Sequence, residues 1–201
     1  MTKLSSSFEY TNTDGSQLVL RWVRPEDKER IADGVKLMSV EGLYLRFFMQ
    51  IKKLSDQQLD YLTSADQTDH IAWGVLDDNC PEFPGLGIAR FVRESDNPTI
   101  AEAAVTVLDS YQGQGIGTLL LAVLHHSARV NGIEILRSIV LIENSALIKS
   151  LKKLGGKSHS ADGNTIKIDL PVYKDLSELP DENISPIYKK YLLDLNELMF
   201  E

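Results

Sequence analysis

The chain has 201 residues, 43% of them hydrophobic and 25% charged, which suits a single domain, or one domain with an extension, that buries about 70% of its unfolded surface. The formal net charge of −8 makes it a poor general binder of nucleic acid and a better partner for cations such as amines. No apolar run approaches the roughly 20 residues that span a bilayer, and Met1 to Ser7 has no apolar signal-peptide core, so a cytoplasmic location away from membranes is expected.

Residues 1–16 are polar and predict a flexible lead-in. Gln17 to Val23 reads as a strand, and Pro25, with acids after it, opens a helix carrying Ile31, Val35 and Met38 at helical spacing. A second helix is predicted from Gly42 to Lys52, and a third from the N-cap Ser55 through Leu62. The pattern then turns to strands at Ile71–Leu76, Leu86–Val92 and Thr99–Leu108, with Pro81, Pro84 and Gly85 in the first intervening loop. Cys80, in Asp77-Asp78-Asn79-Cys80-Pro81, is the single cysteine; it can form no internal disulfide and reads as an incidental loop residue. A long helix follows from Gly115 to about Val130, then a strand at Ile135–Ile142, a helix capped by Asn144 or Ser145 and stopped at Gly155, and a strand at Thr165–Leu170. After Pro171, an acidic stretch leads to a helix over 185–200, with Ile187, Leu192, Leu195 and Leu198 or Met199 as its apolar stripe. That helix either packs on its own domain or meets a partner. Together these elements predict an α/β (α+β) fold with a twisted, mostly antiparallel sheet flanked by helices.

The feature richest in chemistry is Tyr111-Gln112-Gly113-Gln114-Gly115-Ile116-Gly117-Thr118, between a strand and a helix. Missing Cβ atoms let a ligand approach the backbone. The first helical N–H groups have no partner inside the helix, and with the helix dipole they favour phosphate oxygens. A nucleoside triphosphate site would need a Lys after the last glycine, and none is there. A dinucleotide site would need a third glycine where Thr118 stands; Glu134, the candidate ribose ligand, precedes the next strand. A glycine turn without a ligand remains, although three glycines at the head of a long apolar helix would destabilise it, each by up to about 1 kcal/mol.

Gln112-x-x-Gly115-x-Gly117 resembles the central motif of the GNAT acetyltransferases, a likeness that covers most of residues 17–170. The strand Val105-Thr106-Val107-Leu108 looks like that family's coenzyme-binding strand, and Glu143-Asn144-Ser145-Ala146 resembles its closing motif. The stretches Val23-Arg24-Pro25-Glu26-Asp27, Leu43-Tyr44-Leu45-Arg46-Phe47-Phe48 and Lys53-Leu54-Ser55 resemble more narrowly the GNAT domains of bacterial protein lysine acetyltransferases. The resemblance implies a GNAT domain over 17–172 with a helical C-terminal extension over 173–201, a segment expected to be too short for a regulatory domain. It implies acetyl-CoA as co-substrate, held by Val105, Thr106, Val107, Gln112, Gly113, Gln114, Gly115, Ile116, Gly117, Thr118 and Asn144. It also implies direct transfer to an amine, with no metal and no covalent enzyme intermediate.

The candidate base is Glu102, which strand alternation places on one face with Ile100 and Ala104. An apolar setting there would raise its carboxyl toward a useful range. An exposed strand residue is the competing reading on spacing alone; the resembling lysine acetyltransferases have a Glu at this place. The Tyr that many GNAT enzymes use as general acid is replaced by Leu151. His125 and His126 are adjacent on a helix, so they cannot chelate together and read as packed or surface residues. Tyr44, Arg46 and Phe47 are candidates for the acceptor side. The acceptor is a protein lysine or a small amine; a non-catalytic module that binds acyl-CoA is the competing class. A homodimer stays open.

Overall fold

The computed structural model describes residues 5–80, 82, 85–181 and 185–199. Pro81, Pro84 and Phe200 of the expected loop and terminal helix lie outside these residues. In chain order the elements are β1 (Ser7–Thr11), β2 (Gln17–Trp22), α1 (Lys28–Leu37), α2 (Val40–Phe47), α3 (Asp56–Thr63), β3 (His70–Asp77), β4 (Gly87–Arg93), β5 (Ile100–Val107), α4 (Ile116–Val130), β6 (Ile135–Leu141), α5 (Ser145–Lys153), β7 (Lys157–Asp162), β8 (Thr165–Pro171) and α6 (Ser185–Leu198). The strands form one sheet in the order β1-β2-β3-β4-β5-β6-β8-β7. The β5–β6 pair is parallel and the other pairs are antiparallel.

Cross-strand partners share a face, so the register sorts the side chains. Trp73, Ala89 and Val105 line up across β3, β4 and β5 on the face that α4 covers, where the Trp73 indole N–H donates to the Ser127 hydroxyl at 3.1 Å. Leu119, Leu120, Val123 and Leu124 complete that side of the core without exposure. The opposite face carries Gly74, Ile88, Arg90, Glu102, Ala104 and Thr106. Over part of it lies a smaller apolar cluster built from Val35, Leu43 and Leu54, with Ile31, Met38 and Phe47 packed against them.

Four expectations need correction. The supposed loose lead-in contains β1, paired with β2 from Ser7↔Arg21 to Thr11↔Gln17. Its inward side chains Phe8 and Tyr10 are too few to produce a readable alternation. The polar edge strand β7 was not predicted at all, because an edge strand needs little apolar content. α2 ends at Phe47, five residues before the expected Lys52; Phe48 adopts φ 60° and its N–H bonds the Tyr44 carbonyl. The buried stripe of α6 is Tyr188, Tyr191, Leu192, Leu195 and Met199, whereas Ile187 and Leu198 face out. This stripe packs on α4, so the helix folds back on its own domain.

Both histidines of α4 are buried. The His125 Nδ1 meets the Tyr188 hydroxyl at 2.9 Å and its Nε2 meets the Tyr173 carbonyl at 3.3 Å, which satisfies a neutral ring. Burial lowers His125 to about 4, and burial with the nearby Arg129 lowers His126 to about 4. In the unfolded chain a histidine takes up its proton near 6.5. The native state therefore binds fewer protons between these values, and stability drops as pH falls from 6.5 to 4, by roughly 3 kcal/mol for His125. Urea unfolding should show a midpoint that is flat above pH 6.5 and falls below it, with a shallower slope in His125→Gln.

Candidate coenzyme and acceptor site

β5 and β6 pair only at Ile100↔Ile135, Ala101↔Leu136 and Glu102↔Arg137, and then part. The Leu108 N–H bonds the Leu86 carbonyl and the Glu94 N–H bonds the Ile100 carbonyl, each at 2.9 Å. Alternation then turns the backbone groups of Glu102, Ala104 and Thr106 toward β4. Those of Ala103, Val105 and Val107 face the gap. Two of the bared carbonyls have local donors: Ser138 Oγ donates to Ala103 at 3.3 Å and Gln112 Nε2 to Val107 at 3.2 Å. The N–H groups along this edge and the Val105 carbonyl point into the gap between the strands.

The glycine loop stands at the open end of the gap. Gly113 and Gly115 have φ of 76° and 84°, the left-handed region that favours glycine. The first helical bond of α4 runs from the Leu119 N–H to the Gly115 carbonyl at 2.9 Å. That leaves the N–H groups of Ile116, Gly117 and Thr118 without helical partners, and no side chain caps the turn. The loop fits a diphosphate on geometry alone, with open backbone amides, a positive helix end and no Cβ at Gly113 or Gly115. A Cβ on Gly115 would stand 2.8 Å from the Tyr191 hydroxyl, so α6 packs against the loop from behind.

Two residues that the sequence did not single out hold this loop. Asn12, 4% exposed, donates its amide to the Gln114 carbonyl at 3.1 Å, and its Oδ1 accepts from the Tyr191 hydroxyl at 3.1 Å. Both ends of the chain thus buttress the glycine turn. A third such residue is Asp109, whose carboxylate accepts from the Ser39 N–H at 2.6 Å and from Gln112 Nε2 at 3.1 Å. It fixes the start of α2 to the end of β5. Farther along α2, Tyr44 Oη accepts from Asn164 Nδ2 at 3.4 Å, beyond the end of β6. α2 therefore bridges the mouth of the gap. Asp109 and Asn12 lie in short polar turns, where sequence alone cannot separate a partner from a solvated residue.

Glu102 sits at the apex of the gap, in the last β5–β6 pair. Its predicted apolar setting is not found, because the side chain is exposed. Arg137, directly across, is engaged by both oxygens of Asp169 at 2.8 Å and by Glu94 at 3.0 Å, so it does not neutralise Glu102. Arg46 on α2 is close enough to feel the Glu102 charge.

The remaining candidates separate. Thr106 turns its backbone into the β4 ladder and its hydroxyl toward the α1–α3 layer, on the opposite side from a coenzyme in the gap. Asn144 caps α5 by accepting from the Leu147 N–H at 3.2 Å. Leu151 is 1% exposed within the main core, so this position cannot reach a departing thiolate. Cys80 is exposed. Among the described residues no group of three or more His, Cys, Asp or Glu side chains could hold a metal, and no helix is long and apolar enough to cross a membrane.

Comparison with known proteins agrees with this geometry. Residues 17–157 match the acetyltransferase (GNAT) domain. The chain is 40% identical over 141 residues to the acetyltransferase Pat of Mycolicibacterium smegmatis, a match that covers 70% of this chain and 41% of that protein, so the chain spans well under half the length of that relative. Among solved structures, the GNAT domain of S. lividans PAT superposes with a TM-score of 0.75 at 22% identity, covering 82% of this chain and 96% of that one. YncA of Salmonella typhimurium, solved with its cofactor acetyl-CoA, shares the fold with a TM-score of 0.61 at 17% identity, covering 82% of this chain and 98% of that one. The family match over residues 17–157, which takes in both the strand edge opened at Glu102 and the glycine turn at its end, makes this chain a member of the GNAT acetyltransferase family.

Proposed function

We propose that the chain moves the acetyl group of acetyl-CoA to a primary amine, a protein lysine, by direct attack, with Glu102 as the base. The observation that carries this reading is the position of Glu102 at the apex of the β5–β6 gap. A coenzyme lying along Ala103–Val107, with its diphosphate on the glycine turn, presents its thioester toward that apex. The resemblance of residues 23–27, 43–48 and 53–55 to bacterial protein lysine acetyltransferases supports the choice of lysine.

Lysine, with an ordinary pKa of 10.4, needs roughly 4 kcal/mol to lose its proton near pH 7.4. Arg46 is close enough to feel the Glu102 charge and disfavours a bound ammonium beside it, which favours the neutral amine. The amine nitrogen attacks the thioester carbonyl while its proton passes to Glu102, directly or through one water. A backbone N–H of Val105 or Val107 stabilises the oxyanion. The intermediate then collapses, the C–S bond breaks, and the thiolate takes a proton from solvent. A thiol pKa near 8.5 makes that departure feasible without a residue at the Leu151 position.

Two outcomes are expected. Glu102→Gln should lower kcat by about a hundredfold or more and flatten its rise with pH, while acetyl-CoA binding stays within about twofold. An unchanged rate and pH profile would remove Glu102 from the mechanism. Gly115→Ala forces a left-handed φ on alanine and drives its methyl into Tyr191; calorimetry should show acetyl-CoA binding weakened at least tenfold, with Asn12→Ala giving a smaller loss.

A further inference from the structure

A cavity of about 110 Å³ lies on the Glu102 face of the sheet, under α1 and α2. Ile88, Val35, Met38 and Phe47 form its apolar walls. The charged residues lining it are Arg21, Arg30, Arg46, Arg90 and Asp27. Four cations against one anion is a large local excess in a chain whose net charge is −8. Asp27 is already engaged by Arg21 at 2.6 Å and Arg30 at 3.7 Å.

Arg90 is 5% exposed. Its Nη2 donates to the Leu62 carbonyl at 2.6 Å and its Nη1 meets His70 at 3.1 Å, which anchors the guanidinium. Its Nε is buried without a hydrogen-bond partner, and so is the hydroxyl of Thr106, a residue of the cavity wall. Arg46 lies over the Phe47 ring at 5.2 Å. The other charge acting on Arg90, besides the Tyr61 phenol, is Arg46, a second cation. Burial first, and then Arg46, push Arg90 down to about 10. Buried charges and donors are ordinarily matched by a partner. Here Arg90, Arg46 and Thr106 line one cavity whose single lining carboxylate among the described residues, Asp27, is taken by Arg21 and Arg30, and the carboxylate acting on Arg46 is Glu102, outside the lining.

Arg90 stands opposite Ala104, roughly 7 Å along β5 from Glu102, and Thr106 lies roughly 14 Å along it. We propose that this cavity recognises the acceptor, and that Arg90, Arg46 and Thr106 hold a carboxylate on it while its amine meets Glu102. The proposal rests on the transfer reading above and narrows it to amines that carry a carboxylate within a few bonds. The carboxylate belongs either to a free amino acid-like amine or to an acidic residue beside a lysine, and guanidinium forks suit both.

The test uses the full chain, acetyl-CoA and two matched pairs of acceptors, with thiol release as the readout. One pair is 6-aminohexanoate and hexylamine; the other is a short peptide with Glu beside its Lys and the same peptide with Gln there. At least one carboxylated member should exceed its neutral partner in kcat/KM by tenfold or more. Arg46→Gln should bring that ratio close to one, and the near-isosteric Thr106→Val should cut it severalfold; Arg90 is left intact because it also anchors α3. Preference confined to the first pair assigns a free carboxylated amine, and preference confined to the second assigns an acidic residue beside the lysine. Equal rates within both pairs, or a preference unchanged in both variants, overturn the proposal. If no amine releases thiol, the transfer reading has failed, and thermal unfolding with millimolar adipate decides the anion site by itself. A rise in Tm that Arg46→Gln abolishes sustains the site, and no rise overturns it.

Discussion

The structure turns on a strand pair that stops pairing. Buried backbone N–H and C=O groups need partners, and a sheet normally supplies them from the next strand. Beyond Glu102, β5 loses β6 and keeps only β4. Ser138 and Gln112 satisfy two of the freed carbonyls, and the rest of the edge is left for a molecule with amide-like donors and acceptors. The placement of the glycine turn, the bridging helix α2 and the carboxylate of Glu102 all follow from where this opening begins and ends.

The opening is useful only if its rim is rigid, and the rim is supported from far away in sequence. Asn12 and Tyr191 meet each other and hold the Gln114 carbonyl, so the first and last parts of the chain converge behind one turn. Tyr10 adds a second tie to α6, donating to Asp194 at 2.7 Å. Glycine lets the turn adopt its left-handed backbone but gives it no stiffness. The stiffness comes from side chains that belong to β1, its following turn and α6, which makes both terminal segments part of the working site.

The two faces of β5 have different chemistry for a simple reason. One face packs on α4 and is apolar throughout, with Ala101 and Ala103 letting the helix approach. The other meets α1–α3, short helices that leave a cavity and bring arginines to it. An acidic protein with a basic cavity offers anions a favourable place there while its outer surface favours cations. Glu102, exposed at the apex of the gap, is the carboxylate whose charge Arg46 feels.

The sequence by itself determined the local elements and the ligand-bearing turn. Three glycines at a helix start, after a strand of small and β-branched residues, have few other physical uses, and all eight segments predicted from 55 to 171 fall within a few residues of their observed bounds. It was silent where the signal is long-range. β1 and β7 are polar strands defined by their neighbours, Phe48 ends α2 through a backbone conformation that composition does not encode, and the Asn12–Tyr191 contact joins residues 179 apart. The setting of Glu102 was misjudged because Ile100 and Ala104, which share its face, suggest apolar surroundings, whereas at the apex of the gap its side chain is exposed. Which residues share a face can be counted from a period of two; what covers that face, and whether its charges are matched, depends on packing between segments that the chain brings together only on folding.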